Sequence, residues 1–341
     1  RRELEAISGL QLASSSSVTG LNNLLKVVSF HERPMVVAAA ASKLSLQCET
    51  IAGDTSTIRS LDWDRSRFDI EFGLRNGTTY NAFLVRGERT ALIDTSHAKF
   101  RDTWIPLLKE QIEPTAIDVL IVSHTEPDHS GLIGDLIDLN PDIEIVGSKV
   151  ALQFLQDQVH RPFKSRAVKS GEELDLGTNP ESGIQHRFEF LSAPNLHWPD
   201  TIFSFDHGTG ILYTCDAFGL HYCSDDVFDS DPGAIAPDFR FYYDCLMGPN
   251  ARSVLQALKR MDGLPEINTI AVGHGPLLRH HLSHWVNDYR EWSGQRSKGE
   301  SYAAVCYLSQ YGFSDRISQA IAHGIGKAEA QVQLVDLRAT D

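Results

Sequence analysis

Three things are missing from this chain of 341 residues: a C-x-x-C pair, a surplus of basic residues, and any apolar run of the length that crosses a membrane. A membrane-spanning helix needs roughly 18 consecutive apolar residues, so the chain is not expected to be membrane-embedded. Lys and Arg number 31 against 45 Asp and Glu, a formal charge of -14. Nucleic-acid binding draws on clustered basic side chains, and this balance argues against it. The five cysteines (Cys48, Cys215, Cys223, Cys245 and Cys306) are odd in number and scattered. Reduced thiols in a reducing compartment are expected, with a regulatory Cys223 to Cys245 disulfide as the alternative. What the chain does have is 42% apolar residues, enough for one large domain and a smaller piece.

Residues 1–50 differ from the rest, with the tract Ala13-Ser-Ser-Ser-Ser17, the run Met35-Val-Val-Ala-Ala-Ala-Ala41, and more basic than acidic side chains. A Ser-rich, acid-poor composition is that of an organelle transit peptide; an ordinary disordered extension is the other reading. From about residue 58 short β-branched runs alternate with turn residues. Phe68 to Phe72 alternates, and residues 80–94 read as a hairpin about Gly87-Glu. Helical patterns are expected near 100–112, 130–138, 150–158 and 250–261, and strands at 187–192, 202–206, 211–215 and 267–272. This predicts stacked sheets with helical outer layers over residues 58–293. A polar linker at 294–300 precedes a single β-loop-α-β unit over 301–341. Alone it cannot bury both sides of its sheet, so a domain continuing past residue 341 is expected.

The densest chemistry lies in Val119-Leu-Ile-Val-Ser-His124-Thr-Glu126-Pro-Asp128-His129, an apolar strand opening onto four ligand-type side chains. His197, Asp216 and His274 each follow a predicted strand in the same way, as does Asp94. Ligands in layered α/β folds converge from loops at strand ends. Imidazoles and carboxylates without a thiolate suit iron or manganese, whereas Cys-rich sets favour zinc.

The order of these residues resembles the metallo-β-lactamase superfamily and, within it, the flavodiiron proteins. The resemblance rests on His124, Glu126, Asp128, His129, His197, Asp216 and His274. It is sharpened by Glu126 where hydrolases carry His, by Leu196-His-Trp-Pro-Asp200, by Asp216-Ala-Phe-Gly219 and by the Gly77-Thr-Thr-Tyr-Asn81 entry. It implies an αββα four-layer sandwich of the metallo-β-lactamase type, followed by a truncated flavodoxin-like β-α-β unit. It further implies one iron on His124, Glu126 and His197, a second on Asp128, His129 and His274, and Asp216 bridging. In Ser309, Tyr311, Gly312 and Ser314 it implies an FMN phosphate loop between strand and helix. The loops that would grip the flavin ring are expected beyond residue 341, so weak FMN retention is expected of this chain.

The implied activity is reduction of O2 to water by electrons passed from FMN to the diiron centre, with NAD(P)H as ultimate donor. The segment Ala271-Val-Gly-His-Gly-Pro276-Leu-Leu-Arg279 looks closest to photosynthetic members. That implies an electron sink downstream of photosystem I in the chloroplast stroma and a head-to-tail homo- or hetero-oligomer with a paralogous subunit. NO on the same site, a zinc hydrolase of the lactamase or thioesterase kind, and a catalytically silent partner subunit are the rivals. Outside the ligand set Asp94 reads as structural. His221 is placed at the pocket or behind a ligand, His280, His281 and His284 on a solvated face, and Trp198 and Tyr80 in pocket or core.

Overall fold

The computed structural model describes residues 43–68, 72–298, 302–328 and 330–338. Strands β1 (Leu44–Ala52) and β2 (Thr55–Asp62) open the described part. A short hairpin, β3 (Arg67–Phe68) with β4 (Phe72–Gly73), precedes β5 (Thr78–Arg86), β6 (Thr90–Ile93), β7 (Val119–Val122), β8 (Glu144–Gly147) and β9 (Lys164–Ala167). Seven of these form one sheet in the order β1-β2-β5-β6-β7-β8-β9. A second sheet follows chain order: β10 (Glu173–Thr178), β11 (Gln185–Ser192), β12 (Ile202–Asp206), β13 (Ile211–Cys215) and β14 (Thr269–Val272).

Side-chain alternation along the strands builds the layers. On β7, Val119 and Ile121 join Phe188, Phe190, Phe203 and Leu212 of the second sheet in one apolar cluster. Leu120 and Val122 point the other way, into a cluster with Trp104, Leu108, Leu136 and Leu155. Those four lie on α1 (Arg101–Gln111), α3 (Ile133–Leu139) and α4 (Lys149–Val159); the short α2 (Pro127–Ser130) falls between. Burial on both faces is why β7 reads as an unbroken apolar run rather than an alternating one. Behind the second sheet pack α5 (Pro232–Tyr242), α6 (Ala251–Met261) and α7 (Leu282–Arg296). On α6, Val254, Ala257, Leu258 and Met261 recur at helical spacing and are buried, one apolar stripe facing the sheet. The result is the expected helix-sheet-sheet-helix sandwich.

Two boundaries are corrected. The sheet begins at Leu44, so residues 44–50 belong to the fold and not to a leader; Ser17 and the Met35 run lie outside the described residues. Gly294, Gln295 and Arg296 are the last turn of α7 and not linker. Phe68 to Phe72 is a tight hairpin instead of one alternating strand, with its middle outside the described residues. The hairpin at 80–94 is present as antiparallel β5 and β6. Further along, β15 (Tyr302–Tyr307), α8 (Phe313–Lys327) and β16 (Gln331–Asp336) make a β-α-β unit with parallel strands.

Chain direction decides where chemistry can gather. β6, β7 and β8 run parallel, so Asp94 and His124 leave the first sheet at one edge. β13 and β14 are the one parallel pair of the second sheet, which brings Asp216 and His274 out side by side. Antiparallel β11 and β12 put the connection carrying His197 at their shared end. Ile202 N donates to Ser123 O at 2.9 Å, tying that connection to the His124 loop.

Candidate metal centre

All seven ligand-type side chains expected from the sequence meet at this edge, in two nests that share Asp216. His124, Glu126, His197 and Asp216 form one, and Asp128, His129 and His274 the other, with ligand atoms of each nest within 4.8 Å of one another. Asp216 Oδ2 lies 2.7 Å from His124 Nε2 and 3.2 Å from His197 Nε2. Its Oδ1 lies 3.0 Å from His129 Nε2 and 3.4 Å from His274 Nε2. One carboxylate therefore serves four imidazoles, two by each oxygen. Glu126 Oε2 closes the first nest at 2.8 Å from His197 Nε2, and Asp128 Oδ2 reaches 3.3 Å from His274 Nε2 in the second.

Local structure aims these groups. Pro127 at the first position of α2 is suited to a helix start, where its missing N–H costs nothing. The turn that follows turns Asp128 and His129 inward. Asp94, with φ 56°, sits in the left-handed region that Asp tolerates better than most residues. Its Oδ1 accepts Ser123 N at 2.7 Å and pins the strand end before His124; burial pushes its carboxyl up. It supports the loop, as its structural reading expected.

Behind the ligands lie partners, among them Asp200 and Thr79, to which the sequence reading assigned no individual role. Asp200 Oδ2 accepts from Thr125 N at 2.8 Å and Thr125 Oγ1 at 2.7 Å, while its Oδ1 stands 3.8 Å from His124 Nδ1. The Thr79 carbonyl accepts from His274 Nδ1 at 2.6 Å, leaving Nε2 as the lone-pair nitrogen that points into the nest. Such outer bonds set tautomer and orientation. His221 takes the supporting place: its Nδ1 is 2.9 Å from Thr78 Oγ1, and its ring packs 4.9 Å from that of His274. It also lines a cavity of about 510 Å³ with Arg75, Asn76, Asp238 and Tyr242. Trp198 is half-buried with its ring 5.3 Å from that of His124. Tyr80 is fully buried and bonded to Asp62, hence core. His280 and His284 are exposed, as expected of a solvated face, whereas His281 is half-buried.

The charge pattern calls for cations. Burial alone would lower the imidazoles, yet hydrogen bonds to Asp216 and Glu126 bring His197 up to about 10. Asp128 and Asp216 likewise overcome burial to bring His129 up to about 9. Asp216, which burial would raise, is held well below the usual carboxylate range by His124 and His129. Both oxygens of buried Asp128 lack any hydrogen-bond partner, and His129 Nε2 faces His274 Nε2 at 3.2 Å. An orphaned carboxylate beside two opposed imidazole nitrogens is a cation site by its donor chemistry. With four imidazoles and three carboxylates, the set fits a pair of first-row ions such as iron.

Gly273 is the tightest point of this wall. A Cβ there would meet His129 Cε1 at 2.7 Å and the Cys215 carbonyl carbon at 3.1 Å. Gly273→Ala is expected to displace the His129 ring and weaken metal binding in the Asp128, His129 and His274 nest by about 10-fold or more. Metal analysis should then give about one ion per chain fewer than in the parent; undiminished loading would show that the wall yields.

One cysteine departs from expectation. The five thiols are unpaired, in line with reduced cysteines, but Cys215 does not stand apart from the site. Its Sγ falls within 4.8 Å of ligand atoms of His124, His129 and Asp216. At the other end of the chain, Ser309 is buried, Tyr311 is exposed, and Gly312 takes φ 81° just before α8, which begins at Phe313 and includes Ser314.

Residues 78–275 match the family described as ODP family beta lactamase. A diflavin flavoprotein of Nostoc sp. (strain PCC 7120) is 61% identical over 297 residues, 87% of this chain and 51% of that protein. The chain thus spans about half the length of the curated relatives it matches. Among solved structures, the metal-soaked Flv1 flavodiiron core of Synechocystis sp. PCC6803 superposes with a TM-score of 0.72 at 32% identity. It covers 87% of this chain and 73% of that one. The rubredoxin oxygen:oxidoreductase of Desulfovibrio gigas gives a TM-score of 0.68 at 25% identity, over 86% and 73%. With the fold, the nests and these relatives in agreement, the chain belongs to the flavodiiron protein family and carries its metallo-β-lactamase-like core.

Proposed function

We propose that this chain is the diiron part of an oxidoreductase that reduces O2 to water with electrons from FMN. The carrying observation is Asp216 shared between two nests, with Glu126 in the first. In this reading His124, Glu126 and His197 hold one iron, Asp128, His129 and His274 the other, and Asp216 touches both. When bound, the irons supply redox change and open coordination positions, and FMN supplies electrons. The chain's own work is orientation. The Thr79 carbonyl fixes the ring nitrogens of His274, Asp200 holds the His124 loop through Thr125, and His221 lines a cavity beside the second nest. Ser309, Tyr311, Gly312 and Ser314 are the proposed phosphate contacts of FMN. A named oxygen:oxidoreductase among the structural neighbours supports O2 as acceptor.

The reading extends to NAD(P)H as ultimate donor, a head-to-tail oligomer, and an electron-sink role beside photosystem I in the chloroplast stroma. Leader composition and family resemblance support the location; failure of a leader fusion to enter isolated chloroplasts counts against it. The deciding experiment is anaerobic iron loading of the full-length protein, then turnover at O2 and NO electrodes with supplied reductant. O2 consumption without peroxide supports the reading. Preference for NO moves the acceptor, and zinc with thioester or lactam turnover sinks it. Glu126→His tests the carboxylate. Replacing an anion by a neutral imidazole disfavours the ferric state, so metal should be retained while O2 reduction is lost.

Metal uptake should also carry a proton signature. His197 and His129 sit at about 10 and about 9 without metal, so both are protonated at neutral pH and must release protons to bind. Apparent affinity is expected to rise from about pH 6 to about pH 9, with acidification of weakly buffered solution on loading. Linkage gives the companion sign: raised imidazole values stabilise the metal-free fold, fully so below the ordinary imidazole value of 6.5, and that stability is lost progressively until pH has risen through about 9 to 10. Melting of the metal-free protein across this range checks it.

A further inference from the structure

Cys215 is a buried thiol beside the ligands that the diiron reading does not use. It is 2% exposed, and its backbone takes φ 51°, a left-handed geometry costly for a residue with a Cβ. The register of β13 on β14 shifts between Tyr213 and Cys215, a bulge of the kind that re-aims a side chain. Gly273 N donates to Cys215 O at 2.6 Å, and the absence of a Cβ on Gly273 lets His129 Cε1 pack against this same stretch. The thiol is thereby delivered to His124, His129 and Asp216, all four ligand atoms within 4.8 Å of one another.

We propose that Cys215, His124, His129 and Asp216 form a second, mononuclear site for a zinc-class ion. The donor set is what zinc selects: two imidazoles, one thiolate and one carboxylate in a closed, buried cluster. On binding, a bond forms between the ion and Sγ, the S–H bond breaks, and the proton leaves to solvent. Thiolate and carboxylate then balance the charge of a divalent ion. Because His124, His129 and Asp216 also belong to the two nests, the two modes exclude each other. One zinc-class ion at Cys215 blocks loading of both irons. The site stands on these four side chains whether or not the loaded protein reduces O2.

X-ray absorption of the metal-free 341-residue chain loaded with one zinc tests this directly. One sulfur ligand at about 2.3 Å is expected, and a shell of nitrogen and oxygen alone overturns the proposal. Cobalt(II) as a probe should give a near-ultraviolet thiolate band at one ion per chain, lost in Cys215→Ser and Cys215→Ala. A band that survives in both belongs to another cysteine and also overturns it. In competition, one equivalent of zinc should slow iron uptake about 10-fold or more in the parent and much less in the serine variant. Equal slowing in both rejects the shared-ligand mode. Failure of the O2 assay with normal zinc-sulfur ligation would instead reject the oxidoreductase reading alone.

Discussion

Asp216→Asn is expected to reduce iron content from about two ions per chain to less than one and to cut flavin-driven O2 consumption by more than about 100-fold. The substitution keeps size and shape while removing one anionic oxygen. Since Oδ1 lies 3.0 and 3.4 Å from His129 and His274, and Oδ2 lies 2.7 and 3.2 Å from His124 and His197, either amide orientation turns NH2 toward one imidazole pair. An amide nitrogen has no lone pair to offer a metal. The loss of a negative charge also leaves two cations sharing only Glu126 and Asp128. Elemental analysis after anaerobic reconstitution reads the first effect and an O2 electrode the second. Two ions retained would show that Asp216 is not shared.

Asp229→Ala should be the most damaging substitution away from the centre, at about 3–5 kcal/mol of stability and a fall in melting temperature on the order of 10 °C. Asp229 is 1% exposed. Its Oδ1 accepts from Arg279 N at 2.7 Å and His280 N at 2.8 Å, and its Oδ2 from His281 N at 3.1 Å and Trp285 Nε1 at 2.9 Å. One carboxylate thus holds the chain leaving β14 and the start of α7, where an anion also complements the helix dipole. Truncation strands four donors, one of them on fully buried Trp285. Asp231→Ala is the control: that side chain caps α5 through a single bond to Ala234 N at 3.1 Å, worth about 1 kcal/mol. Equal losses in the two variants would refute the distinction.

Elements with a strong period were legible in advance. β7, β12 and β13 are buried on both faces and read as apolar runs, and α6 announces itself by its stripe. β1 was taken for leader because its side chains are mostly exposed or half-buried, which leaves an edge strand with little apolar signal. α5 escaped notice because Pro232 and Pro237 look like breakers, although Pro232 occupies the first turn, where proline fits. α7 ran through the expected linker because Gly294 is tolerated in a helix held by Trp285 and Tyr289 in the core.

The sequence by itself determined the ligand types, their order, and the strands that end in them, because these depend on neighbours a few residues away. Only the tertiary structure decided that one carboxylate serves both nests, that the Thr79 carbonyl orients His274 while Asp200 holds the His124 loop, and that Cys215 points among the ligands. These contacts join residues such as Thr79 and His274, 195 positions apart, so no local period or spacing encodes them. They follow from parallel strands of two stacked sheets ending at one edge, where burial leaves each polar group no partner except the others gathered there.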